Sequence, residues 1–177
     1  MDKRLANLFG VTALAATDRL RAAVERELPL GGAAPAALVH LDAYPGEPVE
    51  ALRRVLRLSQ PGTVRLLDRL GVHELVERRA GRDGRTRALF LTPRGREAVQ
   101  RILARRAASL NGVLESLTRT EQAQLRPLLE KLVSGLAEDR PEALVKCRLC
   151  DREACCREPG CPLDHTTNSP REAEATP

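Results

Sequence analysis

The sequence predicts a mainly α fold, a winged helix-turn-helix with a small two- or three-stranded β wing set between long helices. The chain is 42% hydrophobic but has no Trp, one Tyr and two Phe, so aliphatic side chains must fill its core. That composition suits packed helices better than a large sheet. Apolar residues recur at helical spacing over most of the chain. Two short segments of period two, separated by turn residues, predict the hairpin of the wing.

The N-terminal half predicts three helices. Residues 3–28 form a long one, whose leucine-rich face is interleaved with alanines that allow another helix to approach closely. A short helix over Pro35–Leu41 follows. Pro48 opens the next helix, Val49–Leu56, because the amide that proline lacks would be unpaired there anyway.

A tight turn leads to Ser59, a residue suited to cap a further helix. Two short helices joined in this way are typical of a helix-turn-helix. The apolar face of the second helix is expected to point inward and consists of Val64, Leu67 and Leu70, or of Leu66 with Leu70. Its polar face is left for solvent or DNA and consists of Gln60, Thr63, Arg65 and Arg69.

The wing and the C-terminal helices follow. Strands are predicted over 75–78 and 87–91, with a basic turn at 81–85. Thr92 is expected to cap a long helix that has Pro93 at its first position and runs to about Leu117, with Leu103, Leu110 and Leu114 on its apolar side. Thr120 with Glu121 is expected to start a last helix through Leu136.

Charge is concentrated in the middle of the chain. Between Arg53 and Arg106 there are 15 arginines against five acidic residues, a local charge of +10 in a chain of net charge +5. Such a basic block favours a polyanionic partner, and the alternative is a solvated arginine-rich surface.

Other classes of protein are disfavoured. No apolar run approaches the roughly 18 residues that span a bilayer, and the first residues do not resemble a signal peptide, so we expect a cytoplasmic protein with no membrane partner. We find no Gly-rich phosphate loop and no nucleophile motif, and the three histidines, His40, His73 and His165, have no evident catalytic partner. The sequence therefore predicts that the chain is not an enzyme.

All five cysteines lie between Cys147 and Cys161. A reducing cytoplasm argues against structural disulfides there. The ligands predicted for a metal are Cys147, Cys150, Cys155 and Cys161, spaced C-x2-C-x4-C-x5-C, with Cys156 or His165 as alternates. Four thiolates suit tetrahedral zinc. They also suit an iron–sulfur cluster, and Pro162 directly after the last cysteine is typical of bacterial ferredoxins. The remaining alternative is a set of free thiols.

Several motifs in this order resemble the MarR family of bacterial transcription regulators. They are Leu58-Ser59-Gln60-Pro61-Gly62-Thr63-Val64, Leu67-Asp68-Arg69-Leu70, Leu75-Val76-Glu77-Arg78, Asp83-Gly84-Arg85-Thr86 and Leu91-Thr92-Pro93. The resemblance covers residues 3–138 and is most specific over 49–95. One departure is His73-Glu74, where the family usually has an acidic residue followed by glycine, so the cap of the helix is expected to shift.

The resemblance implies a homodimer that binds double-stranded DNA at a pseudo-palindromic operator, usually as a repressor. The first and the last two helices would form the helical dimerisation domain. The residues expected to bind DNA are Ser59, Gln60, Pro61, Gly62, Thr63, Arg65, Arg69, Arg82, Arg85 and Arg87. Arg85 is the candidate for minor-groove insertion, with Asp83 holding it. Asp68 is expected to support an arginine.

The sequence thus predicts an N-terminal dimerisation helix (1–34), a winged helix-turn-helix DNA-binding domain (35–95), C-terminal dimerisation helices (96–140), a cysteine-rich metal-binding segment (141–165) and a disordered tail (166–177). Some MarR-like regulators carry a similar cysteine-rich tail, which implies a metal site but no particular signal. We expect DNA affinity to respond to the metal or redox state of the cysteines. The alternative is a response to a small organic effector of unknown identity, with the cysteines holding a purely structural zinc.

Overall fold

The computed structural model describes residues 2–28, 30–81, 87–157 and 160–164. The helices are α1 (Lys3–Glu27), α2 (Ala34–Ala43), α3 (Val49–Leu56), α4 (Gln60–Val72), α5 (Pro93–Leu114), α6 (Arg119–Ser134), α7 (Arg140–Lys146) and α8 (Arg152–Cys155). The strands are β1 (Val76–Ala80) and β2 (Arg87–Leu91), which pair antiparallel. The predicted mainly α winged fold is confirmed.

The wing consists of the β1–β2 hairpin and one further β-bridge to the segment before α3. In the hairpin Val76 lies opposite Leu91, and Ala80 lies opposite Arg87. On its other edge β2 is bridged by the segment before α3, where Pro48 lies opposite Ala88. The Gly46 amide donates to the Leu89 carbonyl at 2.8 Å, and the Leu89 amide donates to the Glu47 carbonyl at 3.0 Å. The sequence predicted two or three strands for the wing. In place of a third strand, the described residues form a single β-bridge.

The main core lies between α2, α3, α4, the sheet and the first half of α5. Its largest fully buried side chains there are Leu38, Leu41, Leu52, Leu70, Leu89, Val99 and Ile102. Leu103, Leu110 and Leu114 were expected to mark the apolar side of α5, but they are only partly buried. Ala98, Val99 and Ile102 take that place because only the first half of α5 crosses the core.

Caps fix most helix boundaries. The Ser59 and Thr92 side chains accept the Gly62 and Gly95 amides, as predicted. The start of α6 was predicted two residues too late. The N-cap of this helix is Thr118, not Thr120. Thr118 forms a reciprocal capping box with Glu121.

Two short helices were not predicted. α7 and α8 lie in the cysteine segment (residues 141–165) or at its start, and they are capped by the side chains of Asp139 and Asp151. The predicted disordered tail at 166–177 lies outside the described residues.

Candidate nucleic-acid interface and thiol cluster

The second helix of the helix-turn-helix, α4, begins directly after a tight turn. Arg57, the last residue before the turn, adopts a left-handed conformation with φ 52°. The Ser59 hydroxyl then accepts the Gly62 amide at 3.2 Å, which satisfies one of the free amides at the helix start. Gln60 and Pro61 are exposed beside it. The start of α4 is therefore rigid, and it presents polar groups to solvent.

The inward face of α4 differs in part from the prediction. Leu66, Leu67 and Leu70 are all buried, whereas Val64 is 42% exposed. The prediction that Thr63 faces solvent or DNA is wrong, because its side chain is fully buried. Its hydroxyl donates to the Ser59 carbonyl at 3.0 Å, so its hydrogen-bonding capacity is used inside the turn.

Arg65 and Arg69 form the basic stripe of α4. Both are exposed and lie one turn apart, so they share a face of the helix. Within the described ranges neither guanidinium has a hydrogen-bond or ion-pair partner. Asp68, between them, instead accepts from Arg78 of β1 at 2.8 Å. As predicted, Asp68 supports an arginine, and it does so without neutralising the stripe.

The departure at His73-Glu74 has a clear structural outcome. Glu74 takes the left-handed conformation usual for glycine, with φ 56°. The Leu75 amide donates to the Leu70 carbonyl and the Glu74 amide donates to the Gly71 carbonyl, both at 2.9 Å. This pair of bonds is a Schellman motif. The helix therefore ends normally at Val72, with a non-glycine residue in a strained position.

The wing is only partly described. The predicted DNA contacts Arg82 and Arg85, together with Asp83, lie outside the described residues. Arg87, at the start of β2, is exposed. Arg79 of β1 covers the Phe90 ring at 4.7 Å, so this arginine supports the hairpin.

The five cysteines are free thiols that lie close together. Side-chain interactions link the Cys150 thiol to those of Cys147 and Cys155, and the Cys155 thiol to that of Cys161. Cys156 is the exposed member of the group. The four cysteines predicted as first-choice ligands are thus partly buried, whereas the alternate ligand Cys156 is exposed. The alternate ligand His165 lies outside the described residues.

The pKa values of the neighbouring thiols are shifted in opposite directions. The Cys150 thiol beside Cys147 lowers the pKa of Cys147, although burial opposes the effect. The same contact and burial raise the pKa of Cys150. Burial, followed by repulsion from Cys150, raises the pKa of Cys155 to about 12. As they stand, the described side chains include no group of three or more arranged to hold a metal ion, so zinc and iron–sulfur stay predictions.

The cysteine segment is docked onto the helical core. Leu149 packs against the main core, and Leu163 is 1% exposed in a small cluster with Ala137 and Ala143. α7 also contacts α3, the first helix of the helix-turn-helix. The described part of the segment therefore packs against the rest of the chain.

Tyr44 is a contact residue that the sequence did not identify. Its hydroxyl accepts from Arg140 at 2.6 Å and from Arg152 at 2.5 Å, which joins α7 and α8 to the end of α2. Next to it, buried His40 contacts Glu47 at 2.7 Å, although no partner was evident for this histidine from the sequence. The signal available was that Tyr44 is the only tyrosine of the chain.

An open cleft lies between the terminal helices and the cysteine segment. Its volume is about 810 Å³, and it is lined by apolar residues of α1 such as Leu20 and Val24 and by the cations Arg21, Arg106, Lys146 and Arg148. No aromatic side chain lines it. None of the helices in the described ranges is long and apolar enough to cross a membrane.

Solved structures with a similar fold are transcription regulators. A MarR family protein of Mycobacterium tuberculosis in complex with DNA is 25% identical over 74% of this chain and 98% of its own, with a TM-score of 0.61. The complex of that protein with p-aminosalicylic acid is 27% identical over 72% and 97% of the two chains, with a TM-score of 0.54.

A probable transcriptional regulator from Pseudomonas aeruginosa is 28% identical over 72% of this chain and 98% of its own, with a TM-score of 0.54. No family profile and no curated protein matches the chain. The resemblance to the MarR family is thus confirmed by solved structures, and their identity as regulators agrees with the prediction that the chain is not an enzyme.

Proposed function

We propose that this chain, which has the fold of the MarR-family transcriptional regulators, is a dimeric repressor that binds a pseudo-palindromic DNA operator. The observation that carries the proposal is the basic stripe of α4. Two exposed arginines without partners in the described ranges lie on the second helix of a helix-turn-helix, in a region of local charge +10. A relative of similar fold has been solved in complex with DNA.

The basic stripe suits the major groove. An arginine that reaches base edges there can bind guanine through two hydrogen bonds, and one that reaches the backbone can bind a phosphate. Gln60, exposed near the helix start, adds an amide that can pair with adenine. Arg87, with Arg82 and Arg85 by resemblance, would extend the contact to the flanking minor groove. Ser59, Pro61 and Gly62 would set how closely the backbone approaches a phosphate.

The apolar surfaces at both ends of the chain support a dimer. Leu5, Leu8, Phe9, Val11 and Leu14 of α1 are each more than half exposed. Leu128 and Leu132 of α6 are likewise more than half exposed, and α6 buries no residue at all within the single chain. Exposed apolar area on this scale marks an interaction surface. A second copy of the chain would cover both surfaces and set the spacing of the two α4 helices.

The test is operator binding by Arg65→Ala. A duplex selected in vitro with the wild-type protein serves as the probe, and affinity is measured by fluorescence anisotropy at several salt concentrations. Loss of one bidentate base contact should cost about 1–3 kcal/mol, or roughly 5- to 150-fold in affinity. Arg119→Ala, at the start of α6, removes an equal charge outside the stripe and is the matched control. Equal affinity of the two variants would refute this placement of the interface.

DNA affinity is proposed to respond to the state of the cysteine segment. The segment contacts α3 and the end of α2, so a change in its packing reaches the helix-turn-helix directly. Either loss of a bound metal or oxidation of paired thiols to disulfides would change that packing. Each disulfide formed would deliver two electrons and two protons to an oxidant such as a peroxide.

A small organic anion is the second candidate effector. The cleft of about 810 Å³ is lined by four cations and by Glu25, which pairs with Arg21. Arg106 and Arg148, beside an apolar wall, suit an amphipathic carboxylate. The M. tuberculosis relative has been solved in complex with p-aminosalicylic acid. Release of the operator by p-aminosalicylate from protein with an unaltered cysteine segment would favour this candidate.

A further inference from the structure

We propose that Cys147, Cys150, Cys155 and Cys161 bind one zinc ion as a four-thiolate site, and that Cys156 takes no part in it. Only the effect of this site on DNA binding depends on the proposed function. The site itself follows from the placement of the thiols, the charges around them and the packing of the segment.

The four proposed ligands all line the open cleft between the terminal helices and the cysteine segment. Sulfur atoms bound to one tetrahedral zinc lie about 3.8 Å apart, because each zinc–sulfur bond is about 2.3 Å long. Side-chain interactions link Cys150 to Cys147 and to Cys155, and Cys155 to Cys161. Three of the six sulfur pairs that tetrahedral binding brings together are thus neighbours already.

The thiols form an open row and not a closed cage, so binding must bring Cys147 and Cys161 together. The backbone favours this closure. The Cys150 amide donates to the Cys147 carbonyl at 2.8 Å, which folds the two cysteines into a tight turn. The Cys161 amide donates to the Asp164 carboxylate at 3.2 Å, which holds the second end of the row in a turn. Both ends of the row also pack against the same small apolar cluster around Leu163.

The surrounding charge suits the site. Four thiolates with one Zn²⁺ carry a net charge of −2, which must be balanced where water is partly excluded. Arg140 interacts electrostatically with Cys147, and Arg106 with Cys150. Free thiols, which are neutral, would gain nothing from these two guanidinium groups.

Cys156 differs from the other four cysteines in its position. It is the exposed member of the group, and it is linked to Cys161 and Cys150 by electrostatic interactions alone, with no side-chain hydrogen bond among them. Since it directly follows Cys155, spacing alone allows either residue as the third ligand. The structure turns Cys155 inward, and Cys156→Ser is therefore a matched control for Cys155→Ser.

The site would act on DNA binding through Tyr44. Arg140 and Arg152, which lie in α7 and α8, both donate to the Tyr44 hydroxyl at the end of α2. A metal that ties Cys147, after α7, to Cys155, in α8, fixes the separation of these two arginines. Removal of the metal would allow α7 and α8 to separate, which would weaken the two hydrogen bonds that join them to Tyr44 at the end of α2. On this point the inference rests on the proposed function.

The experiment measures metal and DNA binding on the same samples. The full chain is purified anaerobically in a reducing buffer, and zinc, iron and acid-labile sulfide are determined per chain. We expect one zinc per chain in the wild type and in Cys156→Ser, and less than about a tenth of that in Cys155→Ser, because zinc sites of this kind need all four ligands. Cobalt substitution should give the intense visible bands of a tetrahedral thiolate site in the first two proteins only.

The outcomes separate the two proposals. Metal-free wild-type protein, or equal loss of metal in both serine variants, would overturn the site. Stoichiometric iron with acid-labile sulfide would overturn zinc and retain the four ligands. If chelation removes the metal and operator affinity is unchanged, the link to DNA is overturned. If no selected duplex binds to zinc-loaded protein, the proposed function fails and the metal site stands.

Discussion

The central domain and the terminal helices of this chain are built in opposite ways. From α2 to the first half of α5, leucines such as Leu38, Leu52 and Leu70 are fully buried within one chain. α6 has no buried residue, and most of the large apolar side chains of α1 are exposed. The central domain therefore completes its own core, whereas the terminal helices carry apolar surface that a single chain cannot cover.

The cysteine segment lies between these two extremes. Among the described residues, the apolar cluster that the segment packs against contains three buried residues, Ala137, Ala143 and Leu163, which is a small core for a segment of this length. Hydrogen bonds from Arg140 and Arg152 to the Tyr44 hydroxyl add to the stabilisation of the segment. A small unit with a small core commonly depends on a metal or disulfides, which is consistent with the zinc site proposed above.

The largest effect is expected for Leu132→Glu in α6. If a second copy covers this leucine, the substitution buries an unpaired carboxylate, which costs about 3–5 kcal/mol. The dimer dissociation constant should rise by more than 100-fold, as measured by analytical ultracentrifugation. Ala123→Glu adds the same charge on the face of the same helix that points away from Leu128 and Leu132. Should both variants stay dimeric, the apolar surface of α6 is not the interface.

A smaller effect is expected for Gly95→Ala inside the central domain. A Cβ at position 95 would lie 2.1 Å from the Leu75 carbonyl oxygen, and that backbone cannot move aside without disturbing the junction of the wing and α5. Overpacking of this kind costs about 1–3 kcal/mol in the free energy of unfolding, measurable by urea titration. Gly112→Ala, later in α5, meets nothing within 4 Å and should not destabilise the chain. Equal stability of the two variants would contradict the close packing at Gly95.

The smallest effect is a gain in stability from Glu74→Gly. Glu74 has a left-handed backbone with φ 56°, a conformation that costs non-glycine residues about 1–2 kcal/mol. Its side chain contributes one exposed ion pair with Arg94, which is worth little. Urea unfolding should show a net gain of about 1 kcal/mol. Glu97→Gly, within α5, should lose about as much, because glycine is unfavourable in a helix. A loss at both positions would show that the strain at Glu74 is absent in solution.

Local signals in the sequence were sufficient for most helix boundaries. Ser59 and Thr92 cap their helices because a short side-chain oxygen bonds an amide two or three residues later, wherever the helix packs. The same chemistry marks the starts of α7 and α8 at Asp139 and Asp151. Those helices are seven and four residues long, so no apolar period follows their caps to predict a helix from the sequence.

The orientation of α4 was harder to predict. The apolar residues of α4 cover more than half of its circumference, so the sequence permitted either Val64 or Leu66 to point inward. Contacts with α3 and β1 resolve the choice, leaving Val64 exposed and Thr63 buried. Thr63 could be misread because a hydroxyl that bonds its own helix backbone has the same sequence signature as one that meets solvent.

The sequence by itself thus determined the order of the longer helices and the strands, the caps of α4 and α5, the basic stripe of Arg65 and Arg69 and the spacing of the cysteines. All of these depend on interactions within a few residues along the chain. Only the tertiary structure decided which face of α4 is inward, that Cys156 is more exposed than Cys155, and that Tyr44 links the cysteine segment to α2. Those outcomes depend on contacts between residues as many as 108 positions apart, for which no local pattern exists.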